Sequence, residues 1–310
     1  GEGGKVRFKQ FLNAFEEAEF IVDDIARKCR KKEADYSDCA VLFRTNAQAR
    51  LLEERFVVEG VPYNVVGGTN FYARKEIKDL LAYLKTIDNG QDDLAVKRII
   101  NVPRRGIGMT TIVKVQDYAD REEISFYEAL KHVEEIPGMG RTAAKIKPFV
   151  TMIQAFRGKA EFYGLSDLIR DIIETTGYVK ELEASDDDDA EGRIENIDEL
   201  ISKIVSFEET HNQPTLREFL EEVALVADID NVENGSNKVL LMTLHSAKGL
   251  EFPHVYLAGM EDGVFPSYMT ISSDDPEEIE EERRLAYVGI TRARESLTLC
   301  CARLRMIRGE

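Results

Sequence analysis

Apolar positions change period along the chain, and the changes divide it. Residues 8–29 carry Phe8, Phe11, Leu12, Phe15, Ile21, Val22 and Ile25 at spacings that line one face of a helix, so an amphipathic helix is predicted there. The run Cys39-Ala40-Val41-Leu42-Phe43 predicts a short strand, and a helix follows from about residue 47 to 59. Gly60-Val61-Pro62 breaks the chain before a strand at residues 63–66 and a helix at 75–87. This is the rhythm of an α/β layer. From about residue 91 to 234 strand signals stop and helical patterns take over, punctuated by Gly106-Ile107-Gly108, Pro137-Gly138 and Thr176-Gly177. Strands return at residues 239–244, 255–257 and 297–299. The expectation is one α/β domain built from both ends of the chain (1–90 and 236–310), with a helical domain (91–235) inserted through it.

Composition sets limits on this picture. A length of 310 residues is enough for two domains with their own cores. No apolar run approaches the ~20 residues that span a bilayer, and the start, Gly1-Glu2-Gly3-Gly4, lacks the shape of a signal peptide. A cytoplasmic protein with no membrane partner is expected. Cys29, Cys39, Cys300 and Cys301 follow no metal-ligand spacing, and His132, His211, His245 and His254 are dispersed. Free thiols and no metal site are predicted. The net charge of −17 argues against a nucleic-acid partner only until its distribution is read. Ten acidic residues crowd positions 181–199, including the run Asp186 to Asp189, which is predicted to be a mobile loop, and seven more crowd 274–282. Basic residues gather elsewhere, at Lys97, Arg98, Arg104 and Arg105 and at Arg141, Lys145 and Lys147.

Three segments could carry chemistry. Residues 243–252 (Thr-Leu-His-Ser-Ala-Lys-Gly-Leu-Glu-Phe) leave an apolar strand directly, and ligands of parallel α/β sheets bind where strands end. This is not a phosphate-binding loop, since GxxxxGK[ST] occurs nowhere in the chain. Residues 281–294 read as an acidic–basic helix running into Gly289-Ile290-Thr291-Arg292. They form either a salt-bridged surface helix or an arginine able to reach a transferring phosphoryl group. In the predicted insertion, Gly106-Ile107-Gly108 and Gly138-Met139-Gly140 each open onto a predicted helix beside basic or hydroxyl residues, Thr110 among them. Free amides at such helix starts form anion sites, the logic by which helix-hairpin-helix turns hold a DNA phosphate.

Four blocks (residues 40–50, 65–79, 243–252 and 281–293) together resemble the C-terminal half of UvrD/Rep/PcrA-type superfamily 1 DNA helicases, above all the PcrA-like branch. The resemblance covers essentially the whole chain. It implies a discontinuous RecA-like parallel-sheet motor domain, 2A, carrying an inserted helical domain, 2B. It further implies a 3′-to-5′ DNA motor driven by ATP with Mg2+, whose phosphate loop and metal-binding carboxylates belong to an upstream half, domains 1A and 1B. Carried over, Arg292 meets the γ-phosphate and Glu251 the nucleotide ribose. Arg44, Asn46, Thr243 and His245 touch single-stranded DNA. Gly106, Ile107, Gly108 and Thr110 grip the duplex at a single-strand/duplex junction. Relatives often place acidic residues after Thr-Arg-Ala, whereas Arg294 stands here. The partner-binding tail of many relatives is expected to be missing after Arg308, and the chain is expected not to hydrolyse ATP alone. The resemblance further implies that 2B swivels about connections near residues 90 and 235. Two readings from other classes stay open: a non-catalytic DNA-backbone-binding module, and the motor part of a helicase–nuclease subunit.

Overall fold

The computed structural model describes residues 4–187, 189–229 and 236–310. It divides into two compact units, Gly1–Ala73 with Leu225–Arg308, and Arg74–Ala224. The first crossing follows Ala73, whereas periodicity alone puts the change near residue 90. The return crossing follows Ala224, whereas residue 235, expected for it and as a swivel point, lies outside the described residues, as does Asp188 of the acidic run.

Strands β1 (Arg7–Asn13), β2 (Cys39–Phe43), β3 (Tyr63–Val65), β4 (Val239–Thr243), β5 (Phe252–Leu257) and β6 (Ala293–Leu304) form one sheet in the first unit. Their order is β1-β6-β5-β2-β4-β3, and every neighbouring pair is parallel. In chain order the helices are α1 (Ala14–Arg30), α2 (Ala49–Val58), α3 (Lys75–Asp88), α4 (Asp93–Ile99), α5 (Met109–Glu122), α6 (Phe126–Lys131) and α7 (Ala143–Ala160). There follow α8 (Leu165–Thr176), α9 (Tyr178–Glu183), α10 (Ala190–Thr210), α11 (Leu216–Ile229), α12 (Tyr268–Ser272) and α13 (Pro276–Ile290). The protein is thus an α/β fold with a parallel sheet and an inserted helical unit. Among the described residues no helix is long and apolar enough to cross a membrane.

Strand β2 shows why its sequence is apolar at every position. Val41 and Phe43 pack with Ile21, Val22 and Ile25 of α1 and with Leu52 and Phe56 of α2. Ala40 and Leu42 point the other way, into a cluster with Leu285 of α13, Val255 and Leu297. A parallel strand covered on both faces leaves no position for a polar residue. Burial also pushes the Cys39 thiol up to about 12, and the four cysteines are free.

The single helix expected over residues 8–29 does not form. Residues up to Asn13 are edge strand β1, and the helix begins at Ala14. Asn13 makes the break: its side chain accepts from Glu16 N at 2.9 Å, and the Glu16 carboxylate accepts from Leu12 N at 3.0 Å. Phe8, Phe11 and Leu12 do fit a helical stripe. Their segment is claimed instead by β6, where Arg7 lies opposite Thr298 and donates to its hydroxyl at 2.7 Å. That partner is 291 residues away in sequence, so no local window contains it.

In the second unit the helices close over Tyr83, Phe126, Phe149, Phe156 and Phe219, all fully buried.

Candidate functional site

Strands β2, β4 and β3 are neighbours, and their carboxyl ends open onto one edge. Phe43 and Thr243 are register partners, and Leu244 N donates to Phe43 O at 2.9 Å. Arg44 and Asn46 therefore emerge beside Thr243 and His245. Gly67, with φ +75°, brings the turn after β3 so close that a Cβ there would stand 3.1 Å from Ser246 Oγ. Thr243 Oγ1 shares a 3.1 Å hydrogen bond with Ser246 Oγ. Asn46, His245 and Ser246 are exposed. Gln48 Oε1 closes the turn after β2 by accepting from Arg44 N (2.9 Å) and Thr45 N (3.0 Å). The Arg44 guanidinium is not free: its Nε donates to Glu282 Oε1 of α13 at 2.9 Å. The edge presents hydroxyl, amide, imidazole and guanidinium groups together, a donor set suited to a sugar–phosphate backbone.

Glu251 and Arg292 stand at the opposite edge. Strand β5 begins at Phe252 beside the start of β6, and Phe252 N donates to Arg292 O at 2.8 Å. Six residues of β5 put about 20 Å between the two edges at the usual rise per residue. The segment 243–252 is therefore two sites joined by a crossing, with Thr243 and His245 at one end and Glu251 at the other. The Arg292 side chain is held at three points. Its Nε donates to Val288 O (2.9 Å), Nη1 to Leu250 O (2.8 Å) and Nη2 to Thr291 Oγ1 (3.0 Å). A guanidinium carries five N–H donors, so each terminal nitrogen keeps one for an anion. Arg294 Nε pairs with Glu251 Oε2 at 3.0 Å, both side chains being exposed.

In the helical unit the two glycine turns are tied to each other. Lys145, on the helix opened by the second turn, donates to Gly106 O at 3.1 Å. Lys114, on the helix opened by the first, donates to Gly138 O at 2.9 Å. Gly106 and Gly138 have φ of +68° and +73°, which an L side chain resists. Ile107 is buried and anchors the first turn, while Gly108, Met109 and Thr110 are exposed. Gly108 caps α5 without a side-chain bond; Thr111 N and Ile112 N donate to Gly108 O, while the Met109 and Thr110 amides make no bond among the described residues. Arg105, one of the basic residues expected to serve an anion, turns inward instead. It donates to Ile99 O, Val102 O and the Tyr83 hydroxyl and lies over the Phe149 ring. Lys114 and Lys145 hold the positive charge beside the turns.

The pattern of the UvrD-like helicase C-terminal domain matches residues 1–303. The chain belongs to this family. Among curated proteins it is 42% identical over 309 residues to the ATP-dependent DNA helicase PcrA of Staphylococcus epidermidis. It is 41% identical over 314 residues to the PcrA of Bacillus subtilis. Each alignment covers 99% of this chain but 42% of the relative, so the chain spans less than half the length of the proteins it matches.

Within this UvrD-like C-terminal domain, four contributors escape a reading of the sequence. Glu282 looks like one more acid of an acidic helix, Gln48 like ordinary helix surface, and Lys114 like a solvated charge. Ser246 lies inside a singled-out segment, yet nothing local indicates that it meets Gly67. Glu282, Lys114 and Ser246 depend on partners far away in sequence, whereas Gln48 serves Arg44 N and Thr45 N of its own turn. The acid-rich pattern around Glu282 does contain one clue, an uninterrupted Glu280-Glu281-Glu282 on a helix whose faces must differ in exposure.

Proposed function

We propose that this chain is the C-terminal half of an ATP-driven DNA helicase that moves 3′ to 5′ along one strand. The sheet unit is its second motor domain, 2A, and the helical unit its 2B. The reading is carried by one observation: the sheet holds Arg292 and Glu251 at one edge, and Arg44, Asn46, Thr243 and His245 at the other. A motor needs such a division, because nucleotide and track must contact one rigid body at different places. The family membership and the PcrA relatives supply the prior.

ATP would supply the phosphoryl group whose transfer drives each step. Toward it, Arg292 offers two N–H donors for the terminal phosphate, and Glu251, once released by Arg294, offers a carboxylate for ribose hydroxyls. Following the family resemblance, we assign the Mg2+ ligands, with the phosphate loop this sequence lacks, to an upstream half, domains 1A and 1B. The partners of this reading are that half, single-stranded DNA and the single-strand/duplex junction.

The isolated chain is expected to show no ATP turnover, with or without single-stranded DNA. The same assay on the full-length protein should show DNA-stimulated hydrolysis. Turnover by the purified 310-residue chain would refute the assignment.

The glycine turns give a separate test of duplex contact. A Cβ on Gly108 meets nothing within 4 Å, and φ is −89°, so Gly108→Val should fold. The added bulk would hold a phosphate away from the open amides. In the full-length protein, anisotropy should show about tenfold weaker binding to a forked duplex, the worth of one charge-assisted hydrogen bond. Binding to a single strand should be unchanged. Equal loss on both substrates would remove the duplex role of this turn.

A further inference from the structure

We propose that Glu282 is a positioning residue that couples the DNA-contacting edge of the sheet to the phosphate-contacting edge through helix α13. The inference rests on the helicase reading above and deepens it. Helix α13 spans the sheet. Glu282, in its second turn, meets Arg44 at the carboxyl end of β2, and Arg292 follows its last turn beside the start of β5. Ten residues of nearly continuous helix separate the two, about 15 Å at 1.5 Å per residue. Gly289 seats the helix: a Cβ there would fall 3.1 Å from Leu257 Cδ2 and still closer to Leu244. The helix therefore cannot shift at one edge and stay still at the other.

The Arg44–Glu282 pair is only half made. Arginine and carboxylate commonly join through two parallel hydrogen bonds. Here Arg44 uses Nε alone, and its terminal nitrogens make no bond among the described residues. Glu282 is 7% exposed, yet its Oε2 is buried with no hydrogen-bond partner among the described residues. A buried carboxylate oxygen left unpaired is costly, and it is retained here where the facing arginine keeps its fork open. That arrangement aims the Arg44 terminal nitrogens at a further anion while Nε stays on the helix. A backbone phosphate of the single strand fits the opening, so occupancy at Arg44 is felt by α13 and hence by Arg292.

The test uses the full-length protein with Glu282→Gln, Glu282→Asp, Arg44→Gln and the double variant Arg44→Gln/Glu282→Gln. Two quantities are read: the oligonucleotide concentration giving half-maximal ATPase stimulation, and the ATP consumed per nucleotide travelled. Glu282→Gln is expected to raise the first about tenfold, an ordinary size for coupling between sites, and to raise the second. Glu282→Asp should recover part of both, and the double variant should be no worse than Arg44→Gln alone. A merely structural glutamate would lower the melting temperature without changing ATP per nucleotide. Should Glu282→Gln melt below the assay temperature, Arg44→Lys, which keeps the charge and loses the Nε–H, carries the same expectations. If the wild type shows no DNA-stimulated hydrolysis, the helicase reading fails. If the wild type is stimulated and Glu282→Gln matches it in both quantities, the coupling role fails alone.

Discussion

Replacing Arg292 with alanine in the full-length protein is expected to lower DNA-stimulated ATP turnover by about 10³-fold or more, the effect an arginine finger commonly has. The structure makes the side chain well suited to that work. Three of its N–H groups are spent on Val288 O, Leu250 O and Thr291 Oγ1. The guanidinium is thus oriented before any phosphate arrives, and little freedom is lost when one does. The substitution should leave the fold intact, because the carbonyls it abandons lie at an edge that water can reach. Affinity for single-stranded DNA should stay within about twofold of wild type, since the residues proposed to face DNA stand at the other edge, about 20 Å away. Arg292→Lys should lose most of the activity as well, because an ammonium cannot reproduce the planar fork. Steady-state hydrolysis at saturating oligonucleotide, with anisotropy for binding, measures both. A fall of less than tenfold would shift the role to Arg294, two residues on and already paired with the Glu251 carboxylate.

Removing the carboxylate of Asp24 should produce the largest loss of stability. Asp24 is 5% exposed and gathers Arg7 Nη2 at 2.7 Å, Arg27, Lys28 at 3.8 Å and the Tyr256 hydroxyl at 2.6 Å. Burial alone would raise its pKa, but the hydrogen bonds from Arg7, Tyr256 and Arg27 outweigh burial and hold the carboxyl well below the usual carboxylate range. The network ties edge strand β1, helix α1 and central strand β5 together. Asp24→Asn leaves cations facing a neutral group, and breaking one side of a buried pair costs about 3–5 kcal/mol. Water reaches Arg7 and Arg27, so the lower end, ~3 kcal/mol, is expected. At about 2–4 °C per kcal/mol for larger domains, the sheet unit should melt roughly 10 °C lower.

The same carboxylate shapes the acid side of the stability curve. A group whose folded pKa is depressed contributes fully above its unfolded pKa, near 4, and loses the contribution as pH falls toward the folded value. Wild type should therefore lose stability below about pH 4, and Asp24→Asn should lose less over that window. A melting shift under about 2 °C at pH 7 would show that the network is not a keystone of the sheet unit.

What the sequence determined by itself is the set of local choices. The apolar run 39–43 is a strand buried on both faces, and residues 75–87 are helical. Gly106 and Gly138 sit at positive φ where helices begin, and the absence of GxxxxGK[ST] is final for this chain. Each rests on spacing or backbone preference that a few neighbouring residues decide. Tertiary structure decided the rest, because the deciding partner lay far along the chain. Residues 7–13 became a strand only because β6 offered a parallel ladder. Arg105 turned inward to the Ile99 and Val102 carbonyls, although its neighbourhood reads as a basic surface. The segment 243–252 reads as one loop, yet parallel strands that start and stop at opposite edges pull Thr243 and Glu251 apart. Glu282 is one carboxylate in an acidic helix until the fold sets it against Arg44. Local periodicity carries which face of an element is apolar, but it does not carry which element will meet that face.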